Sequence, residues 1–176
     1  MSQGFHVDID TAQRVASSFA LQLRELGVPE SEFLVCGSVR RQRPTCGDID
    51  VAITAESFTD HVQENLFRSV LQDCFIAKKS EMLKSGMWDG MKIEFYVGPA
   101  VGFGAMKLYS TGNPAFNVKC RIEAKKRGWK LSQFGLFNTD SALVCDCTTE
   151  GSILQMIGMG EFLNPLSRDV NGWYGH

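Results

Sequence analysis

The stretch Gly37-Ser38-Val39-Arg40-Arg41, followed six residues later by Gly47-Asp48-Ile49-Asp50-Val51-Ala52-Ile53, constrains this chain more than any other feature. A run of β-branched residues interrupted at every second position by a carboxylate is a strand, and side chains two apart on a strand share a face. Asp48 and Asp50 therefore stand on one face while Ile49, Val51 and Ile53 supply the apolar side that anchors a core. Two carboxylates held a few ångströms apart repel each other, and at neutral pH a divalent cation with oxygen-only coordination relieves the repulsion. Gly37 and Ser38 offer a backbone N–H and a hydroxyl suited to phosphate oxygens, and Arg41 adds a charged fork. Metal and phosphate anchors thus fall on adjacent segments.

Two further segments accompany this pattern. Met91-Lys92-Ile93-Glu94-Phe95-Tyr96-Val97 alternates as a half-buried strand after a turn at Trp88-Asp89-Gly90, with Lys92, Glu94 and Tyr96 on one face. Leu108-Tyr109-Ser110-Thr111-Gly112-Asn113-Pro114-Ala115-Phe116-Asn117 runs on through Arg121 to Gly128-Trp129-Lys130-Leu131-Ser132-Gln133-Phe134-Gly135-Leu136-Phe137.

Taken in order, Gly-Ser-x-Arg-Arg, Gly-Asp-x-Asp-hydrophobic, the Glu94 strand and the Tyr-Ser-Thr-Gly segment resemble the nucleotidyltransferase pattern of family X DNA polymerases, the group that includes DNA polymerase beta. The resemblance covers about residues 11–169. It implies an α+β fold: a nucleotidyltransferase palm over residues 1–100, with a mixed or antiparallel sheet and two helices, and a small α+β thumb over residues 101–176. It implies two Mg²⁺ ions, or Mn²⁺, on Asp48, Asp50 and Glu94, where the family has Asp at the Glu94 position. It further implies triphosphate contacts from Gly37, Ser38, Arg41 and Gly47, and a primer phosphate on Lys92. Tyr109 and Ser110 would line the sugar pocket, where the family carries a bulky aromatic at the Ser110 position, and Gly112 would be a further nucleotide-binding residue. Asn117 would reach the minor-groove edge of the incoming base and Arg121 the templating nucleotide. The layout resembles the smallest viral members, with palm and thumb and only about ten residues before the first palm helix.

Composition sets the bounds. The chain has 176 residues, 44% hydrophobic and 22% charged, which is ordinary for a globular protein with one or two small cores. No apolar run approaches a membrane span and no signal-peptide layout opens the chain, so a cytoplasmic protein, or one nuclear by diffusion, is expected. The six cysteines, at 36, 46, 74, 120, 145 and 147, lack paired metal spacing and read as reduced core thiols, although Cys145 and Cys147 would share a strand face. A net charge of −2 conceals a basic stripe. From Lys107 to Lys130 seven basic residues face the single acid Glu123, and Arg40, Arg41 and Arg43 cluster beside the paired aspartates. Arg40, Arg43, Lys125, Lys126 and Lys130 are the residues expected on a DNA backbone, an electrostatic footprint that a solvated helix face also produces.

The expected elements are a helix over 12–26 capped by Asp10-Thr11, a strand over 33–36, the carboxylate strand over 48–54 and a helix over 57–74. Strands over 76–84 and 87–97, joined near Ser85-Gly86, follow. Val97-Gly98-Pro99 with Gly102 and Gly104 reads as a hinge. Beyond it come a helix ending near Ser110, a second over 114–127 and a strand-rich tail. The function expected is template-directed, gap-filling DNA synthesis from dNTPs by a monomer acting on gapped or primer-template DNA, with no ligase or other protein partner legible. The alternatives are a template-independent or ribonucleotide-using transferase, and a DNA-end-binding module without catalysis.

Overall fold

A computed structural model describes residues 6–76 and 83–169, beginning at a short strand, β1 (Val7–Asp8). Asp8 caps the first helix, α1 (Ile9–Glu25): its Oδ1 accepts the Thr11 amide at 2.8 Å and its Oδ2 the Thr11 hydroxyl at 3.1 Å. The cap lies two residues before the expected Asp10, because Asp8 has the extended backbone (φ −66°, ψ 163°) from which a carboxylate reaches the N–H three residues on. Val15, Phe19 and Leu23 recur every fourth residue and bury one face of α1.

There follow β2 (Phe33–Val35), the single-turn helix α2 (Gly37–Arg40), β3 (Thr45–Cys46), which pairs with β1, and β4 (Asp48–Thr54). The helix expected over 57–74 is shorter. It comprises α3 (Asp60–Asn65) and a wide turn over Leu66–Val70, after which the chain turns extended at Leu71 and enters β5 (Gln72–Ile76). Edge-strand pairing overrides the local helical spacing there. β6 (Leu83–Trp88) runs straight through Ser85 and Gly86, where a reversal was expected, and the chain reverses at Asp89-Gly90 into β7 (Met91–Gly98). Both turn residues have positive φ (46° and 78°), as a two-residue hairpin turn with the right twist requires. Residues 77–82 of the expected strand lie outside the described residues.

The five-stranded sheet has the order β2-β4-β7-β6-β5, and β4 with β7 is its parallel pair. Ile49, Val51 and Ile53 of β4 and Met91, Ile93 and Phe95 of β7 point to one face, against α1 and Phe58, Val62 and Leu66. Phe95 stacks on Phe58 at 5.2 Å and meets Phe19 edge-on at 5.7 Å. Truncating such a side chain costs about 3–5 kcal/mol.

After β7 come α4 (Phe103–Thr111), α5 (Pro114–Lys126), the hairpin β8 (Lys130–Ser132) and β9 (Gly135–Phe137), and α6 (Glu150–Met156). Proline in the first turn and Asn113, whose Oδ1 accepts the Phe116 amide at 2.9 Å, start α5. Leu108, Phe116, Cys120, Leu136, Ile153, Leu154 and Ile157 form a second core. The tail is not strand-rich: Ile153, Leu154 and Ile157 fall at helical spacing, and short helical turns finish the described chain. Cys145 and Cys147 lie outside the strands and their sulfurs are 4.0 Å apart.

Cys36, Ala52, Phe103 and Met106 join α4 to the other face of the sheet. Gly104, read from sequence as part of a hinge, is a packing residue, since a Cβ there would stand 2.3 Å from the Thr149 backbone. No helix among the described residues is long and apolar enough to cross a membrane.

Candidate active site

The alternation along β4 sends Ile49, Val51 and Ile53 into the core and leaves Asp48 and Asp50 on the open face. Parallel pairing then sets Lys92 beside Asp48 and Glu94 beside Asp50. Strands are spaced ~4.8 Å apart, so the three carboxylates crowd one patch. Burial first, then the charges of Asp48 and Glu94, push Asp50 up to about 7, while Tyr96 hydrogen bonding and the charge of Arg41 pull it down. Asp48 is raised too, by burial and by Glu94. The Asp50 carboxylate lies directly on Gly37, at the turn between β2 and α2.

Glu94 is held on two sides. Lys92 Nζ donates to its Oε1, and the Tyr96 hydroxyl donates to its Oε2 at 3.3 Å. Buried beside Asp50 and Glu94, the Tyr96 phenol is kept protonated well above its ordinary range. Its ring meets Tyr109 edge-on at 6.0 Å, and so joins the carboxylate patch to the end of α4.

A cleft of 380 Å³ opens in front of this patch, with Asp48, Asp50 and Tyr96 on one wall and Ser38, Arg41, Tyr109, Gly112, Asn117 and Arg121 around it. The Ser38 hydroxyl is buried and has no hydrogen-bond partner among the described residues. A buried hydroxyl without a partner is costly, and such groups mark places where a ligand completes the bonding. Arg41 is fixed from behind by Asp169, at 3.0 Å, and by the Thr111 carbonyl. On the other side of Asp48 a wider cleft of 620 Å³ is bordered by His6, Arg43, Gly47 and Lys92.

The expected nucleotide residues of α4 and α5 line the first cleft, in different ways. Tyr109 is partly exposed, and its carbonyl accepts Asn117 Nδ2 at 2.7 Å. Ser110 is buried, and its hydroxyl bonds back to the Met106 carbonyl at 2.8 Å. Arg121 faces the cleft from the next turn of α5.

Arg40 departs from expectation. Its guanidinium points away from the cleft and grips Glu150 with bonds of 3.0 and 2.5 Å, and Thr111 at 2.7 Å. Glu150 also pairs with Arg168, which is fully buried. Arg40 therefore serves as an internal tie, where a DNA-facing side chain was expected. Of the far-end lysines, Lys126 pairs with Glu123 at 2.8 Å on the surface, while Lys125 and Lys130 make no ion pair among the described residues. Sequence reasoning placed Tyr96 on the correct face without giving it a role. It missed Asp169, Glu150 and Arg168, which carry no local motif.

Residues 11–101 match the DNA polymerase beta palm, and residues 106–169 the DNA polymerase beta thumb. The chain belongs to the family X DNA polymerases. It is 23% identical over 162 residues to Repair DNA polymerase X of African swine fever virus (isolate Tick/South Africa/Pretoriuskop Pr4/1996), covering 89% of this chain and 91% of the viral one. It is 26% identical over 163 residues to DNA polymerase lambda of Rattus norvegicus, covering 77% of this chain and 28% of the rat protein. The five-stranded sheet with α3 and nearly all of α1 thus falls in the palm match, and most of α4 with everything after it in the thumb match.

Family X polymerases generally use divalent metal, and the donor chemistry here fits one. Asp48 and Asp50 present oxygen ligands whose proton affinity is raised by burial and by neighbouring carboxylates, the situation that a divalent cation reverses. Among the described residues no three Asp, Glu, His or Cys side chains converge tightly enough to enclose an ion. The Glu94 carboxylate is engaged by Lys92 and Tyr96.

Proposed function

We propose that this polymerase fills short gaps in DNA, joining a dNTP to a primer 3′-hydroxyl under the direction of a template strand. The observation that carries this reading is the unpartnered Ser38 hydroxyl, buried on the wall that Arg41 shares with Asp48 and Asp50. Hydroxyl and guanidinium together suit phosphate oxygens, and the adjacent carboxylates suit the cations that accompany a triphosphate.

In the reaction the primer 3′-oxygen bonds to the α-phosphorus as the bond to pyrophosphate breaks, and the hydroxyl proton leaves to solvent or base. Divalent cations, Mg²⁺ or Mn²⁺, held by Asp48, Asp50 and Glu94, would supply neutralisation of the charge that builds on these oxygens. Ser38 and Arg41 hold the leaving phosphates. Tyr109, with Asn117 braced on its carbonyl, forms the floor under the sugar and base, and Arg121 meets the template side. Lys92 and Arg43 border the wider cleft, where primer phosphates fit. The relatives named as repair polymerases support a repair role.

A second reading, ribonucleotide use, is favoured by Ser110. Its side chain is small and its hydroxyl is turned back onto α4, at the position where the family carries a bulky aromatic.

Primer extension on gapped, nicked, template-primer and single-stranded DNA, with each dNTP and rNTP and with Mg²⁺ or Mn²⁺, tests both. Templated incorporation strongest on short gaps is the expected result. Extension without a template, or none on any substrate, would overturn the proposal.

A further inference from the structure

Behind the nucleotide cleft, three parts of the chain far apart in sequence meet on one carboxylate. Arg41 Nε donates to both oxygens of Asp169, at 3.1 and 3.0 Å, and one Nη donates to the Thr111 carbonyl. Asp169 Oδ1 also accepts Asn113 Nδ2 at 2.8 Å. The same Asn113 side chain reaches the Arg168 carbonyl at 3.0 Å and caps α5. Arg43 lies 3.9 Å from the other oxygen of Asp169. The Arg41 and Asp169 side chains are only 12% and 15% exposed, so water screens the pair weakly.

A guanidinium carries five N–H donors in one rigid plane. A carboxylate on its Nε and a carbonyl on one Nη, approaching from different directions, fix that plane and its rotation. The donors left over belong to the edge at the cleft wall, where Arg41 lies with Ser38. Gly112 leaves the room for this, since a Cβ there would stand 3.3 Å from Arg41 Nη1.

We propose that Asp169 is the positioning residue for Arg41: it holds the guanidinium in the orientation that nucleotide phosphates require. Through Asn113 it also ties that orientation to α5, which carries Asn117 and Arg121. The inference rests on Arg41 being a phosphate ligand, as proposed above. Charge alone argues the opposite effect. An aspartate beside a phosphate site repels the ligand, so a mere counter-ion would weaken nucleotide binding and its removal would tighten it. An organiser does the reverse, because a preoriented fork loses less freedom when the phosphate arrives. The sign of the effect of Asp169→Asn, which keeps shape and removes charge, therefore decides between them.

The experiment is calorimetric binding of a non-hydrolysable dNTP analogue, with Mg²⁺, to the full chain on one-nucleotide-gapped DNA. Asp169→Asn is expected to weaken nucleotide binding about tenfold, the loss of one well-placed charge-assisted contact, with DNA affinity unchanged. In an Arg41→Lys background, where no fork remains to orient, the same substitution should add little. Nucleotide binding equal to or tighter than wild type in Asp169→Asn overturns the inference, as does full additivity with Arg41→Lys. Should Asp169→Asn fail to fold, Asp169→Glu carries the test: it keeps the charge but displaces it, and wild-type affinity there overturns the inference. If Arg41→Ala itself binds the nucleotide normally, the reading of the cleft fails. If Arg41→Ala loses binding while Asp169→Asn does not, only the present inference fails.

Discussion

Gly37 and Asp50 are in direct contact: a Cβ built on Gly37 would stand 1.8 Å from Asp50 Oδ2. Gly37 also has φ +59°, so it serves both a left-handed turn and the seat of the carboxylate. Gly37→Ala should displace Asp50 and cut extension by at least about a hundredfold, as misplaced catalytic groups do. Gly128→Ala is the control. Gly128 has φ +76° with nothing within 4 Å, so the change there costs only about 1 kcal/mol of backbone strain and should leave turnover intact. Extension near wild type in Gly37→Ala would show that Asp50 has no fixed seat.

Replacing Asp48 or Asp50 by Asn keeps shape and removes charge from the patch. Extension should fall by several orders of magnitude while circular dichroism stays native. If Asp50→Asn retains a tenth of the activity, the chemistry lies elsewhere.

The same residue makes stability depend on pH. The folded-state value of Asp50, about 7, lies above its unfolded value of 3.8, so between these the folded protein holds the proton more tightly. Stability then falls as pH rises through the window and levels off above it. Urea midpoints in EDTA should be higher at pH 5 than at pH 8, and Asp50→Asn should flatten the slope and exceed wild type at pH 8. An unchanged slope in Asp50→Asn would mean that the carboxylate is already ionised in the fold.

Glu150 sits between Arg40 and the fully buried Arg168. Glu150→Gln leaves two shielded guanidinium groups without a counter-charge and should cost about 3–5 kcal/mol, read from chemical denaturation. A loss under about 1 kcal/mol would mark the tie as no stronger than a surface pair.

Substitution of Lys125 and Lys126, in the last turn of α5, tests DNA binding apart from chemistry. Changing both to Ala should raise the Kd for gapped DNA and reduce its salt dependence by up to about two counterions, with turnover at saturating DNA little changed. An unaltered salt slope would assign both to solvent.

Asp48 and Asp50 could be placed from sequence because a strand's period of two is local and needs no knowledge of the rest of the chain. The helix starting at Pro114 was legible for the same reason, since proline in a first turn is a local signal. Arg40 and Arg41 were read together, and they diverge: successive side chains on a helical turn point roughly 100° apart, so one faces Glu150 and the other the cleft. Asp169 carried no signal, because its partner Arg41 lies far back in the chain and the pair exists only once thumb and palm are docked. The early end of α3 was hidden because β5 is extended by pairing with β6, an influence from outside the segment.

The parallel pairing of β4 with β7 has a consequence in time. Asp50 and Glu94 are register neighbours, yet α3, β5 and β6 must all be made between them, and parallel strands joined by such a crossover form slowly. A nascent chain still short of Gly98 already contains both aspartates but has no partner strand to complete their patch. Recovery of activity during refolding should therefore follow the slowest phase, with no partly active species before it. A single proteolytic nick between β4 and β7, if the halves separate, would abolish the site in one step.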